Sequence, residues 1–159
     1  MRIAFGTDEV TPVTDAVKAH LAARGHDVVA TDEGDPWPEV GRAVADAVAS
    51  GAADRGVVCC WTGTGVALAA NKVPGARAAL CGDAETARGA RRWNDANVLA
   101  LGLRLTTATV AAEVIDAFLV TDVDPDEAAN IARVEPGPPD RPNHPDRPDG
   151  PDGRFAGGE

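Results

Sequence analysis

An open α/β sandwich with a mostly parallel sheet of about five strands is the fold this sequence predicts. Three observations predict it. Short apolar runs such as IAFG, VVCC, AALC and VLALG read as strands. Helical patterns rich in small residues alternate with them, as βαβ units require. The composition is 44% apolar but only 4% aromatic. That balance suits close-packed helices on a sheet better than a bulky aromatic core.

Taken in order, Met1 to Gly6 is the first strand. Asp8 to Arg24 reads as a helix, because Val13, Val17 and Leu21 recur at helical spacing. Pro12 suits its first turn and Gly25 its end. His26 to Thr31 is a second strand, and Asp32 to Pro38, DEGDPWP, a loop with two prolines. Val40 to Ser50 is a small-residue helix and Asp54 to Cys60 a strand. TGTG then makes a turn, and Val66 to Lys72 is helical. Ala76 to Cys81 and Asn97 to Gly102 are strands, separated by a helix over Asp83 to Trp93. Helices over Thr107 to Leu119 and Asp126 to Arg133 complete the domain, 1–135. Beyond it, 136–159 is rich in Pro, Gly and Asp. Such a segment buries too little apolar surface to offset its ordering entropy, so a disordered or extended tail is expected.

Charge and cysteine usage narrow the function. The formal net charge is −10; the segment 134–159, with six acids and three arginines, holds −3 of it, which leaves about −7 on the body. An acidic body lacks the basic footprint that nucleic acid or an anionic membrane needs. The cysteines, Cys59, Cys60 and Cys81, lie in strand-like runs and have neither a disulfide framework nor metal-ligand spacing. A reducing cytoplasm fits them. MRIAF runs straight into a strand rather than a signal peptide, and no apolar run would span a bilayer.

The stretch VVCCWTGTGVALAANK, residues 57–72, carries the chemistry. A strand, then glycines, then a helix start can turn backbone N–H groups toward an anion. The anion could be a phosphate or an oxyanion that develops during a reaction. Gly63-x-Gly65-x-x-Leu68 partly matches a dinucleotide fingerprint, but the third glycine, which governs close helix–strand packing, is missing. Cys60 ends the strand beside this turn. It reads either as a small buried hydrophobe or as a base or nucleophile. Cys59 and Cys60 point to opposite faces of the strand, and Cys60 is the better candidate.

Several strings together resemble the ribose-5-phosphate isomerase B and galactose-6-phosphate isomerase family: IAFGTD at 3–8, TGTG, LAANKVPGARAALC at 68–81 and TARGARRWNDANVLALG at 86–102. The resemblance implies a Rossmann-like three-layer sandwich and a homodimer, or a dimer of dimers, with active sites shared between chains. It implies cofactor-free, metal-free aldose–ketose isomerisation of a sugar phosphate through a cis-enediolate. By position, Cys60 matches the family's catalytic base. Thr62, Gly63 and Gly65 match its oxyanion loop, with Trp61 and Thr64 between them. Asp8 matches a sugar-contacting aspartate, Asn94 a substrate contact from the partner chain, and Arg133 a phosphate-binding arginine.

The departures have a direction. The family's Asp-His is Asp8-Glu9 here; its ring-opening histidine is Trp93. The tyrosine of its Asp-Tyr-Pro is Trp37, the glycine after its cysteine is Trp61, and a second phosphate arginine is Ala129. One charge reversal about 4 Å from a ligand is worth several kcal/mol at an effective dielectric near 20. A cyclic sugar phosphate held in the usual way would bind poorly. A tetrose 4-phosphate, which cannot close a ring, or an unphosphorylated or modified substrate would suit better. Three indoles make the pocket smaller and more apolar. Two other readings stay open: a non-isomerase on the same scaffold, whether a binding or regulatory protein or an enzyme of different chemistry, and nucleotide binding. His20, His26 and His144 have no motif around them and read as surface residues.

Overall fold

A computed structural model describes residues 1–135, so the expected tail, 136–159, lies outside the described residues. The element order is β1 (Arg2–Thr7), α1 (Pro12–Ala23), β2 (Asp27–Glu33), α2 (Trp37–Ala49), β3 (Arg55–Cys60), α3 (Thr64–Ala70), β4 (Ala78–Leu80), α4 (Ala84–Asn94), β5 (Val98–Gly102), α5 (Ala108–Val120) and α6 (Ala128–Ile131). Five parallel strands lie in the order β2-β1-β3-β5-β4.

The strand order dictates the layers. A right-handed crossover that steps one way across the sheet lies on one face, and a step the other way lies on the opposite face. Accordingly α1, α4 and α5 cover one face. Their Val17, Leu21, Ala87, Ala90, Ile115 and Phe118 pack with Ile3, Phe5, Val57, Cys59 and Leu99. α2 and α3 cover the other, where Val40, Val44 and Val66 pack with Ala4, Val58, Cys60 and Ala100. Alternate strand residues therefore enter different cores. Each fully buried Leu, Ile or Phe among them contributes about 1.5–3 kcal/mol.

The end of β3 sits between two strands whose chains leave toward the opposite face. β1 passes to α1 and β5 to α5, whereas β3 passes to α3. Diverging turns open a cleft at the carboxyl ends of the strands, the usual ligand position in such sheets.

Three expectations need correction. The first helix starts at Pro12, not Asp8. A capping box ends it there: Thr14 N–H donates to Thr11 Oγ1 (3.3 Å) and Thr11 N–H to Thr14 Oγ1 (2.8 Å). The last helix is not continuous over 126–133; a 3-10 turn over Pro125–Glu127, capped by Asp124, precedes a single helical turn. His20 and His26 are not free surface residues. His20 Nε2 lies 2.8 Å from Asp116 Oδ1, and Arg24 also engages Asp116. His26 Nδ1 is buried with no hydrogen-bond partner.

Burial holds the His26 imidazole below its ordinary value of 6.5, the chain's amino terminus, His20 and Arg24 add to this, and Asp116 opposes it. A histidine depressed in the folded state takes up its proton more readily when unfolded. Its stabilisation is complete above 6.5 and is lost as pH falls from there toward the folded-state value. The melting temperature should therefore drop more between pH 7 and pH 5 in the wild type than in His26→Asn. Parallel thermal melts of the two proteins check this; equal drops would remove His26 as the cause.

Candidate active site

Cys60 ends β3 and is 5% exposed. Its Sγ accepts the Gly63 N–H at 3.2 Å, which fixes the thiol beside the loop. The loop takes its shape from glycine. Gly63 has φ +76, a left-handed conformation that a side chain disfavours. Opposite it is Gly102, where a Cβ would fall 2.7 Å from the Thr62 carbonyl oxygen. The loop thus lies directly on the end of β5. Cys60 O accepts from Leu103 N–H and Trp61 O from Arg104 N–H, each at 2.9 Å, extending the ladder under the loop. No side chain caps α3, so its first-turn N–H groups stay open to the cleft. Thr62 and Thr64 share a hydroxyl–hydroxyl bond of 2.7 Å.

Asp8 enters from β1. The register pairs Thr7 with Cys59, so Asp8 emerges level with Cys60. Its turn is held by Thr7, whose hydroxyl donates to Glu9 O (2.8 Å) and accepts from Glu9 N–H (3.3 Å). Asp8 Oδ1 is buried without a hydrogen-bond partner. Burial pushes this carboxyl up from its ordinary value; its own backbone N–H opposes that and the Glu9 charge adds to it. A buried acceptor left unpaired costs about 1–3 kcal/mol, which a ligand hydroxyl would recover.

The tryptophans differ in placement. Trp37 is not in a loop as expected; it is the first residue of α2, after Pro36 as N-cap, because prolines belong in a first helical turn. Its indole covers Gly65, where a Cβ would lie 3.0 Å from ring atoms Cδ2 and Cε3. Trp61 is 57% exposed. It lines a cavity of about 310 Å³ with Thr62, Leu80, Gly102, Arg104 and Leu105.

Trp93, Asn94 and Arg133 do not join this group within one chain. β5 runs parallel to β3, with Val98 beside Gly56 and Gly102 beside Cys60. Asn94 lies just before the start of β5, so at least the length of that strand, about 13 Å, separates it from Cys60. Trp93 folds back on its own helix, over Gly89. The segment carrying Arg133 rests against the same end of α4, where Asp124 N–H donates to Arg92 O (2.8 Å). Asn94 and the Arg133 segment thus lie toward the far end of α4, while the groove beside Trp93 runs along that helix to Leu80, which also lines the Trp61 cavity. Among the described residues no group of three or more His, Cys, Asp or Glu is arranged to hold a metal ion.

The family model described as Ribose/Galactose Isomerase matches residues 3–135. The chain belongs to the ribose/galactose isomerase family. Galactose-6-phosphate isomerase subunit LacB of Clostridium acetobutylicum is 40% identical over 79% of this chain and 75% of its own. The D-erythrulose-4-phosphate isomerase of Pectobacterium atrosepticum is 36% identical over 75% of this chain and 82% of its own. The solved ribose-5-phosphate isomerase B of Clostridium thermocellum is 36% identical, superposes with a TM-score of 0.79, and is matched over 84% of this chain and 95% of its own. The Rossmann-like sandwich expected of the sequence is the fold of this family member.

Within this isomerase, one residue of the cleft escaped the sequence reading. Arg104 follows β5, its main chain bonds the loop at Trp61, and the residue lines the Trp61 cavity. No ion pair engages it among the described residues. The signal was available: LGLRL sits at the carboxyl end of a strand, where a cation can reach the cleft. Among the described residues no helix is long and apolar enough to cross a membrane.

Proposed function

We propose that this isomerase interconverts a short, open-chain aldose and ketose phosphate, with Cys60 as the base. Starting from the ketose, the Cys60 thiolate takes a proton from C1, and the C1–H electron pair forms the enediolate double bond. Charge then gathers on the carbonyl oxygen, where N–H groups of the loop from Trp61 to Gly65 receive it. The hydroxyl proton passes between O1 and O2, and Cys60 returns its proton to C2. No cofactor is needed, because no electrons leave the substrate.

The observation that carries this reading is the juxtaposition at the cleft. A thiol fixed by the Gly63 N–H lies level with Asp8, whose Oδ1 is buried and unpartnered, and with an uncapped loop. Asp8 is the sugar-contacting residue in this reading, Thr62 orients O1 or O2, and Arg104 faces the phosphate. Trp61 walls the cavity, Trp37 backs the loop at Gly65, and Glu9 excludes a phosphate from its own side. Trp93, Asn94 and Arg133 serve the partner chain's cleft, which makes the working unit a homodimer. A four-carbon substrate agrees with the loss of the ring-opening histidine at Trp93. It also agrees with the relative named for D-erythrulose 4-phosphate. A cytoplasmic setting belongs to the same reading.

The test is proton exchange. In deuterated water, with a panel of four- to six-carbon aldose and ketose phosphates and free sugars, the protein should exchange the C1 or C2 hydrogen of a four-carbon phosphate fastest. Fastest exchange with ribose 5-phosphate would reject the altered specificity. No exchange anywhere, with melting shifts from unrelated metabolites, would leave a binding protein.

A further inference from the structure

The string VPGAR at 73–77 helped carry the family resemblance but has no task in the chemistry above. Its arginine is a hub. The Arg77 side chain is 19% exposed, and all three guanidinium nitrogens are engaged. Nε donates to Asp95 O (2.9 Å), Nη2 to Asp95 Oδ2 (2.8 Å) and Nη1 to Glu135 Oε1 (2.8 Å). The second oxygen of Glu135 accepts the Gly75 N–H at 3.1 Å. Asn97 closes the ring: its Oδ1 accepts Arg77 N–H (2.7 Å) and its Nδ2 donates to Gly75 O (2.8 Å).

Both ends of this hub lie next to residues given a place in the partner's cleft. Asp95 directly follows Asn94, and Glu135 is two residues beyond Arg133. Asp95 has φ +46, the only positive φ of a non-glycine residue among those described. A residue with a Cβ disfavours that conformation and keeps it only when its surroundings impose it. Here Arg77 imposes it from one side and Arg91 Nη1, 2.7 Å from Asp95 Oδ1, from the other. The bent residue turns the chain sharply after Asn94 and ends α4 there. On the other arm, α6 is a single helical turn without buried residues, so little else fixes the position of Arg133.

We propose that Arg77 is a positioning residue for the shared site. One guanidinium sets the spacing between the Asn94 end of α4 and the Arg133 arm, so that both reach the partner's cleft together. Lysine could not replace it, because an ammonium lacks the planar fork that holds two carboxylates at fixed angles. The inference rests on the two-chain reading of the site given above.

The experiment is a double-mutant cycle between Glu135→Gln and Arg133→Ala. Steady-state kinetics would use D-erythrulose 4-phosphate, or whichever panel phosphate exchanges fastest. Glu135→Gln should raise KM about 5- to 10-fold with kcat within about twofold of wild type. On the Arg133→Ala background the same change should have no further effect, because Glu135 acts through Arg133. Arg77→Lys also loosens Asp95 and so Asn94; its KM increase should be smaller on the Arg133→Ala background than alone but not zero, and it serves if Glu135→Gln does not fold. Equal KM increases on both backgrounds, or a fall in kcat with KM unchanged, would overturn the positioning role. If Arg133→Ala itself leaves KM at the wild-type value, the two-chain site fails instead, and the inference with it. Absence of turnover by the wild type on every panel phosphate would also overturn both.

Discussion

Cys60→Ala should lower turnover about 10³-fold, equivalent to about 4 kcal/mol of lost transition-state stabilisation, and erase hydrogen exchange at C1 and C2. The magnitude is that of a general base removed from an otherwise intact site. The site should stay intact, because the sulfur contributes little to the fold. It packs beside Ala4 and Val58 and accepts one N–H, and its loss should cost about 1–2 kcal/mol. Cys59→Ala is the internal control. Cys59 belongs to the opposite core, with Phe5 and Leu99. Burial pushes its thiol up to about 12, with smaller contributions from Cys60 and Asp8, so it stays protonated. It should keep turnover within a few-fold of wild type. Exchange measured alongside thermal melts separates the outcomes. Equal loss in both variants would move the chemistry away from Cys60.

The existence of the strands, the helix faces and the opposite orientations of Cys59 and Cys60 were legible because they follow from local periodicity. Each core strand alternates between two apolar faces, and that alternation is written in consecutive residues. The strand order was not legible. Nothing local tells β5 to slip between β3 and β4; that follows from which helices can share a face after the whole chain has collapsed. Helix starts were misread where capping outweighed periodicity, as at Thr11. Trp37 was misread because two prolines can mean a loop or a first turn, and only the packing on Gly65 decides. His26 looked idle because burial of a single ring nitrogen leaves no trace in sequence. Arg104 was missed for a related reason: its neighbours in the cleft are Trp61 and Thr62, more than forty positions away.

The cleft combines retained and altered parts in a consistent way. In the proposed mechanism, everything that moves the proton comes from β1, β3 and the loop after β3. Everything replaced by tryptophan stands at the perimeter. Trp37, Trp61 and Trp93 remain about half exposed, at 45%, 57% and 54%. A half-exposed indole offers a flat apolar face with one polar handle, on which a ligand or a partner chain can stack. Trp61 lines the cavity of its own chain and Trp37 backs the loop at Gly65, whereas Trp93 borders a groove of about 480 Å³ with Leu80, Thr86 and Asn94. In the proposed reading, a change of specificity would draw on both halves of the dimer.

Gly63→Ala should be the most damaging single-methyl change in the protein. At φ +76 the left-handed conformation alone costs about 1–2 kcal/mol once a Cβ is present. The added carbon would also fall 2.5 Å from Leu80 Cδ1 and 2.9 Å from both Gly102 N and Leu101 C. Leu80 can rotate, but the β5 backbone cannot move without breaking the ladder beneath the loop. Conformation and overpacking together amount to about 3–4 kcal/mol, a fall in melting temperature of roughly 10 °C. The loop would shift away from β5 and withdraw the Gly63 N–H from Cys60, so turnover should fall about 10²-fold in the fraction that folds. Gly82→Ala is the matched control. Gly82 also lines the Trp61 cavity, yet a Cβ there meets nothing within 4 Å. Its melting temperature and kcat should match the wild type. If Gly63→Ala instead melts and turns over like Gly82→Ala, the loop is not held against β5, and the geometry assigned to the base does not stand.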